Sequence, residues 1–600
     1  MENNKVCNKY QDENSPNYLI EYRGNFKEQI DKVDYACGDI IDERLGIISV
    51  NDEYLERLRK DVPAIKFIEY RSVHVLQDIA VNDTDKIHEI KSNQYLRLNG
   101  RGVLVGMVDS GIDYLNNEFI REDGTSRILS IWDQTATTKN NDHNVHTGAT
   151  YTNEEINNAI NAFKRGEDPY LIVPQKDEVY HGTRMAGIAG GRGYNKEIEG
   201  VANDCDFVVV KLLESNSFKK MLAENGILNT PVYNNSEVLT AINYLQKYAL
   251  KVNRPMVIYI GVGSTRGNHS GTNMISVFIT KIAERKGMVM VAGVGNEGDT
   301  EGHASGILNE IGEIGVMELF TPREINLLSF QIWVRRPDIM SVNITTPYGE
   351  SSGFIYPKTM RIANIRFVLI DTILELRYNI PEAYTGDELI TLKFNKMKPG
   401  IWKIEIKSDY LVNGRYDAWL PQAKLLPEGT RFLSSDPFTT LTIPSTSRKA
   451  ITVAYFDQEK NSLVSASGNG YNSNGLINPD IITSGINVLT TSQSGAVIKS
   501  SGSSVATAIV AGCCALMLQW GIVDKNDMAM FSIKIRSYLL YGADRSRKDN
   551  YPNRSTGYGN LDILKTFNII GAIYRSDIAL EEDFIEYYVG NLYVRIPKGI

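Results

Sequence analysis

The stretch GVLVGMVDSG, residues 102–111, indicates the architecture of this chain more clearly than any other. Its apolar residues follow one another without polar alternation, which is typical of a strand buried on both faces of a parallel sheet. Helical spacers separate it from three similar runs, and the sequence therefore predicts an α/β domain with a parallel sheet and helices on both faces. These runs are DFVVVKLL (206–213), RPMVIYIGVG (254–263) and GMVMVAGVG (287–295).

The periodicity changes on either side of this region. Residues 17–77 follow the order β-α-β-α-β, which predicts a small α/β unit. Between 315 and 440, FQIWVR and WKIEIK alternate with a period of two, which predicts an antiparallel β-sandwich. Buried-strand character returns at AITVAYF (450–456), so the sandwich is an insertion. The predicted domains are 1–77, 78–310, 311–445, 446–570 and a C-terminal extension, 571–600.

Composition narrows the class of protein. A net charge of −8 without a Lys/Arg cluster argues against a nucleic-acid partner. Five scattered cysteines argue against a disulfide framework and for synthesis in a reducing compartment. The polar N-terminus lacks the apolar core of a secretion signal, so we expect synthesis in the cytoplasm. The apolar run that begins at Val505 suits a buried core helix better than a membrane span.

The segment Gly293-x-Gly295-x-x-Gly298 matches the glycine fingerprint of a dinucleotide-binding loop. That fingerprint requires a helix at the third glycine, but DTEGHASGILNE (299–310) follows and has no helical spacing. We therefore expect no nucleotide cofactor, and Asn296 requires another explanation.

Three short motifs bring a carboxylate, an imidazole and a hydroxyl into the order Asp…His…Ser. They are VGMVDSGID with Asp109, HGTRMAGIAGG with His181, and SSGSSVATAIVAG with Ser504. A serine hydroxyl is a weak nucleophile that needs an imidazole base, and the base needs a carboxylate to fix its tautomer. A serine at a helix N-terminus also gains backbone N–H groups for a developing oxyanion. Ser503 is the competing nucleophile.

These motifs resemble those of the subtilisin-like serine proteases (subtilases). DSGID, HGT-x-x-AG, GNEG and GSSVATA occur in register, over roughly residues 80–305 and 445–570. The resemblance implies a catalytic triad of Asp109, His181 and Ser504, and an oxyanion donor at Asn296, for which the alternative is an ordinary turn residue. It also implies that Gly261, Val262 and Gly263 pair with the substrate backbone; the alternative is a buried strand end.

A narrower resemblance is to the Csp germination proteases of clostridial spores, which share the N-terminal unit and the insertion. It implies that the unit is a prodomain, that the insertion is a jelly roll, and that the protein is a zymogen of the mother cell and spore. The implied substrate is the precursor of a cortex-lytic enzyme. The rival interpretations are a catalytically silent scaffold or signalling pseudoprotease, and an intracellular subtilase with another protein substrate.

The spacing in subtilases between the mature N-terminus and the catalytic Asp predicts self-cleavage near Gln77–Asp78. His74, Val75, Leu76 and Gln77 would then occupy the substrate subsites, and the freed prodomain would stay bound as an inhibitor.

No metal site is predicted. His143 and His146 lie in a polar insertion and are expected to be solvated, whereas His269 and His303 are loop residues without a zinc-ligand spacing. The loop GRGYNKEIEG (191–200) lacks the Asn-rich pattern of the strong calcium site that is common in subtilases. We therefore expect neither a metal nor an organic cofactor.

Overall fold

A computed structural model describes residues 7, 9–12, 14–69, 71–76, 86–91, 96–137, 145–358, 362–547, 549–578, 584–589 and 592–597. The N-terminal elements are β1 (Asn17–Tyr22), α1 (Phe26–Ile30), β2 (Ala36–Ile40), β3 (Leu45–Val50), α2 (Leu55–Asp61), β4 (Ile65–Ile68) and β5 (Val73–Leu76).

The first part of the α/β region contains α3 (Ile87–Lys91), β6 (Leu104–Asp109), β7 (Ile128–Asp133), β8 (Ala149–Thr152), α4 (Asn153–Lys164), α5 (His181–Gly190), β9 (Asp206–Lys211), α6 (Asn216–Glu224), β10 (Tyr233–Asn234), α7 (Asn235–Val252), β11 (Met256–Ile260), β12 (Val262–Gly263), α8 (Met274–Ala283) and β13 (Met288–Gly293).

The inserted strands are β14 (His303–Ile307), β15 (Ile314–Thr321), β16 (Ile325–Val334), β17 (Ile339–Thr345), β18 (Ile362–Phe367), β19 (Thr372–Asn379), β20 (Glu388–Met397), β21 (Gly400–Tyr410), β22 (Arg415–Trp419) and β23 (Arg431–Phe432). The chain continues with β24 (Ile451–Asp457), β25 (Ser462–Leu463), β26 (Ile481–Ser484), β27 (Val488–Thr491), β28 (Val497–Ser500), α9 (Ser503–Leu518), α10 (Ser532–Gly542), α11 (Ile563–Ile578), β29 (Phe584–Val589) and β30 (Leu592–Pro597).

The predicted parallel sheet is the centre of the molecule. Its strand order is β25-β24-β13-β11-β6-β9-β7-β8, with β26 beside β24, and only the edge strands β25 and β8 are antiparallel. Every residue of β6, β9, β11 and β13 is buried, as the apolar runs predict. Val105 and Met107 of β6 belong to one apolar core, whereas Leu104 and Val108 belong to another. The α/β fold with helices on both faces is confirmed.

The N-terminal unit has one strand more than predicted. Its antiparallel sheet has the order β2-β3-β1-β4, and β2 was not recognisable because ACGDI lacks a clear apolar pattern. The predicted long strand IKFIEYRSVHVL is divided into β4 and β5, which join different sheets. Strand β5 leaves the unit and pairs with β10 and β12 of the α/β region.

The cysteines also differ from expectation. Cys7 forms a disulfide with Cys37 on β2, whereas Cys205, Cys513 and Cys514 are buried thiols. This pairing was not predicted because it depends on β2, which the sequence pattern did not indicate.

The insertion is a sandwich of two antiparallel sheets, called the sandwich below. The six-stranded sheet has the order β14-β22-β16-β20-β19-β18, and the four-stranded sheet has the order β17-β21-β15-β23. Phe330, Phe394 and Trp402 pack in the core between the two sheets. The alternation in FQIWVR and WKIEIK is confirmed at the apolar positions, because Ile332 and Ile404 are fully buried; the jelly-roll connectivity stays a prediction.

Helix α9 lies in the core of the α/β domain. The stretch Ser503–Val523 is apolar and long enough to cross a membrane by composition alone, but 89% of its most apolar window is buried inside the protein. Packing against β11, β13 and β24 accounts for its apolar character, as expected of a core helix.

Candidate active site

The candidate residues lie at the carboxyl ends of three neighbouring strands. Asp109 ends β6, Gly261 directly follows β11, and Gly293 ends β13. These strands are parallel neighbours in the order β13-β11-β6, and adjacent strands lie about 4.8 Å apart. In open parallel sheets this edge is where functional groups collect.

Asp109 and His181 form a buried pair at this edge. Nδ1 of His181 lies 2.7 Å and 2.8 Å from the two carboxylate oxygens of Asp109, and both side chains are fully buried. Such contact fixes the ring and directs Nε2 away from the carboxylate. Gly182 permits this approach, because a Cβ atom there would lie 2.1 Å from the Gly111 carbonyl oxygen.

A second carboxylate, Asp177, holds the start of helix α5. It accepts hydrogen bonds from the backbone N–H groups of Tyr180 and Thr183 and from the hydroxyls of Ser110 and Thr183, at 2.7–2.9 Å. The hydroxyl of Ser110 in turn accepts the Gly182 N–H at 3.0 Å. Sequence reasoning missed Asp177, because the N-cap of α5 is Tyr180 and an Asp three residues before it is not at the position where a capping signal is read.

Ser503 and Ser504 have different environments. The hydroxyl of Ser503 accepts the backbone N–H of Gly295 at 2.9 Å, and a Cβ on Gly293 would lie 2.2 Å from that oxygen. Ser504 is equally buried, but its hydroxyl has no hydrogen-bond partner among the described residues. Ser503 therefore joins α9 to the end of β13, and the Ser504 hydroxyl is available for chemistry.

Helix α5 packs directly against α9. A Cβ on Gly512 would lie 2.8 Å from the carbonyl oxygen of Ala189, and each of these residues lies eight positions beyond His181 or Ser504 in its own helix. The bond of Ser503 to Gly295, just after β13, and that of His181 to Asp109 bring both helix starts to the same sheet edge.

Asn296 is held by α9. Its Oδ1 accepts the backbone N–H of Ser503 at 3.2 Å, so the Nδ2 amino group is the end that can donate elsewhere. The next residue, Glu297, is buried, and its carboxylate accepts the Ala423 N–H at 3.0 Å. The loop that carries Asn296 is therefore fixed by contacts on both of its sides.

Gly261, Val262 and Gly263 border a groove that β5 occupies. Val262 pairs with Leu76 and Gly263 with Val75, while Tyr233 and Asn234 pair with His74 and Val73 from the other side. All these pairings are antiparallel, and β5 is the central strand of a three-stranded sheet.

Gly261 leaves no space for a side chain beside the buried pair, because a Cβ there would lie 2.1 Å from Oδ2 of Asp109. The predicted cleavage residues Gln77 and Asp78 lie outside the described residues.

His146, His269 and His303 pack against aromatic rings. The prediction that His146 is solvated was wrong, because its half-buried ring packs edge-on against Tyr10 and Trp132. His269 and His303 are buried and both stack on Trp419, at 4.1 Å and 4.7 Å between ring centroids, and His303 starts β14 instead of lying in a loop. His143 lies outside the described residues. Within the described ranges, no group of three or more His, Cys, Asp or Glu side chains could hold a metal ion.

Several solved structures match the chain. The Clostridium perfringens CspB protease matches it with 28% identity and a TM-score of 0.72, over 82% of this chain and 96% of that one. The epidermin leader peptide processing serine protease (EpiP) of Staphylococcus aureus matches with 14% identity and a TM-score of 0.46, over 93% and 100%. Fervidolysin of Fervidobacterium pennivorans matches with 11% identity and a TM-score of 0.45, over 95% and 62%.

At the level of sequence, no curated protein matches the chain. The sequence profile described as the subtilase family matches residues 100–318 and 430–559, which is more than half of the chain and includes all four predicted motifs. This match leaves out the N-terminal unit and most of the sandwich. The protein belongs to the subtilase family and is a subtilisin-like serine protease.

Proposed function

We propose that the protein is a serine endopeptidase in which Ser504 is the nucleophile, His181 the general base and Asp109 the residue that orients His181. The observation that carries this assignment is the buried Asp109–His181 contact of 2.7 Å, together with the hydroxyl of Ser504 in the first turn of α9, which has no hydrogen-bond partner in the described part of the chain. This assignment also accounts for Gly182 and Gly261, because a side chain at either position would not fit beside the Asp109–His181 pair.

In the proposed reaction, Nε2 of His181 takes the hydroxyl proton of Ser504 as the oxygen attacks the scissile carbonyl carbon. The C–N bond of the tetrahedral intermediate then breaks, and His181 returns the proton to the leaving amine. Water, deprotonated by the same imidazole, attacks the acyl-enzyme, and the free acid and Ser504 are released. Asp109 stays ionised throughout and stabilises the imidazolium.

The oxyanion is held by the Nδ2 group of Asn296 and the backbone N–H of Ser504. Asn296 supports this role because its Oδ1 is already bonded to Ser503, which leaves the donor end to face a substrate. One such donor contributes about 2.7–4 kcal/mol of transition-state stabilisation. The donor is fixed before substrate binds, so its orientation costs no reorganisation during the reaction.

We further propose that the chain is a zymogen that cleaves itself near Gln77–Asp78. Strand β5 supports this, because it lies between β10 and β12 as an extended substrate would under β-addition. Leu76 pairs with Val262, and the neighbour of Val262, Gly261, lies beside the carboxylate of Asp109. The N-terminal unit (1–77) would remain bound after cleavage, because its pairing with the groove lies on the N-terminal side of the cut.

The proposed substrate is the pro-segment of a spore cortex-lytic enzyme. The protease would be made in the mother cell and incorporated in the spore. Likeness to the CspB protease supports this choice. The remaining candidates are another protein substrate and a scaffold without catalysis. The buried Asp109–His181 contact and the unpartnered hydroxyl of Ser504 favour an active enzyme over the scaffold.

The test is labelling with an active-site serine phosphonate, followed by N-terminal sequencing. We expect the label on Ser504, and a new N-terminus between residues 72 and 84 that is absent from the Ser504→Ala variant. A folded chain that does not react supports the scaffold. An intact Met1 in a phosphonate-reactive chain contradicts self-cleavage and leaves the protease assignment in place.

A further inference from the structure

The side chain of Val75 is enclosed in an apolar pocket that the catalytic assignment does not use. Val75 is 4% exposed and packs with Leu222, Val232 and Leu425, all of which are buried. Val73, two residues earlier on the same face of β5, packs against the edge of this cluster. These apolar side chains therefore cover this face of β5 and form one wall of the groove.

Helix α6 supplies one part of the wall. Phe218, Met221 and Leu222 are spaced three and four residues apart, so they form one apolar stripe, and this stripe faces β5. The guanidinium of Arg71, just before β5, lies 4.2 Å from the ring centroid of Phe218 and donates to the hydroxyl of Ser217 at 2.6 Å.

The sandwich fixes α6 in this position. The side chain of Asn225, directly after α6, donates to the Leu327 carbonyl at 2.9 Å and accepts the Leu327 N–H at 3.1 Å. Arg323 donates to the Asn225 carbonyl at 3.1 Å. Asn326 also donates to the carbonyl of Glu224, the last residue of α6. All these partners belong to the β15–β16 region of the sandwich, so four hydrogen bonds tie the end of the helix to the insertion.

The segment after β22 supplies the other part of the wall. Gln422 is 1% exposed and donates to the carbonyl oxygen of Gly263, the residue that pairs with Val75. Ala423 donates to Glu297, the neighbour of Asn296. These bonds hold Leu425 against Val75 and connect the pocket to the loop of the oxyanion donor.

We infer that this pocket selects the substrate residue that pairs with Gly263, and that it takes an apolar side chain of the size of Val or Ile. The inference rests on the proposed function and names the substrate class more closely. The substrate is an extended protein segment with Val or Ile three residues before the bond that is cut, if that bond corresponds to 77–78. The sandwich is thus part of the specificity apparatus, because it positions α6 and contributes Leu425.

The experiment measures kcat/KM for peptides with the sequence of residues 71–82 and for the same peptides with Val75→Ile or Val75→Asp. Burial of an unpaired carboxylate in an apolar pocket is costly, so we expect Asp to lower kcat/KM by about tenfold or more, and Ile to leave it within a few-fold. The peptides are tested on the full chain and on its Val75→Asp variant, whose own side chain no longer fills the pocket.

Leu222→Ala and Leu425→Ala should reduce the ratio of kcat/KM for the Val and Asp peptides. Leu228→Ala is the matched control, since Leu228 follows the same helix but is 68% exposed. Two results would overturn the proposed role of the pocket and leave the proposed function intact. One is equal cleavage of the Val and Asp peptides. The other is that a chain that reacts with the phosphonate cleaves neither peptide. A chain whose Ser504 does not react overturns the proposed function instead.

Discussion

The hydroxyl of Ser503 and the backbone N–H of Gly295 are joined by a hydrogen bond of 2.9 Å. This bond places the start of α9 at the end of β13 and commits the Ser503 hydroxyl to a structural contact. The neighbouring hydroxyl of Ser504 has no comparable partner in the described part of the chain. The two adjacent serines, which are equivalent by residue type, are therefore separated by their surroundings.

We predict that Ser504→Ala abolishes proteolysis, whereas Ser503→Ala retains it. Removal of the nucleophile of a triad lowers kcat by about a millionfold, because the remaining groups cannot replace the covalent step. Loss of the Ser503–Gly295 bond costs about 1 kcal/mol of stability. Activity assays and thermal unfolding of both variants check this; a Ser504→Ala chain that cleaves at the parent rate would remove Ser504 from its role.

Asn296→Ala should lower kcat/KM by about 100- to 1000-fold, while the chain still reacts slowly with the phosphonate. The reason is that, in the proposed mechanism, Asn296 donates to a charge that exists only in the transition state. Steady-state kinetics on a small ester and a peptide measure the effect. An unchanged kcat/KM would show that the oxyanion is held by other groups.

We expect Asp177→Asn to reduce kcat more than it raises KM. Asp177 does not contact the substrate; it holds Tyr180 and Thr183 at the helix start that carries His181. An amide has one acceptor oxygen in place of two, so the helix start loses part of its anchoring. Asp168→Asn is the control, since Asp168 caps another short helix by bonding Tyr170. Equal kinetics in both variants would remove Asp177 from positioning.

The attachment of the N-terminal unit should weaken as pH rises. Glu69 accepts bonds from the Met274 N–H at 3.2 Å and the Asn235 amide at 3.0 Å, at the first residues of α8 and α7. Burial nevertheless raises the pKa of Glu69 from an ordinary value of 4.5 to about 8, and nearby Glu382 adds to this rise.

Because the folded-state pKa of Glu69 is raised, its stabilising contribution is complete below about pH 4.5 and is lost as pH rises toward about 8. Glu69→Gln should abolish that part of the pH dependence. The measurement is the difference in Tm between parent and variant at pH 5.5 and pH 8.5. A difference that does not change with pH would contradict the shifted pKa.

The sequence predicted most of the elements that place the candidate site. Continuous apolar runs predicted β6, β9, β11 and β13, because strands buried on both faces have a distinctive composition. The alternating residues around Phe330 and Trp402 predicted the sandwich, because each strand has one inward face. Local pattern was sufficient in both cases.

What the sequence could not predict depends on distant contacts. Val75 contacts Gly263 and Leu425, which are distant in sequence. No local signal therefore showed that the predicted long strand divides into β4 and β5, or that Val75 lies in an enclosed pocket. Cys7 and Cys37 are 30 residues apart and pair because of β2, whose pattern is weak. The register to VATA already favoured Ser504 over Ser503, but the bond that occupies the Ser503 hydroxyl depends on the distant Gly295 and had no local signal.

The central claim is that Ser504 is a nucleophile activated by His181 and Asp109. Mass spectrometry of the phosphonate-treated protein, with peptide mapping, tests it most directly. We predict that the modified peptide carries the label on Ser504, and that His181→Ala largely prevents labelling while the fold is retained. A label on Ser503, or equal labelling of the parent and His181→Ala chains, would contradict the account.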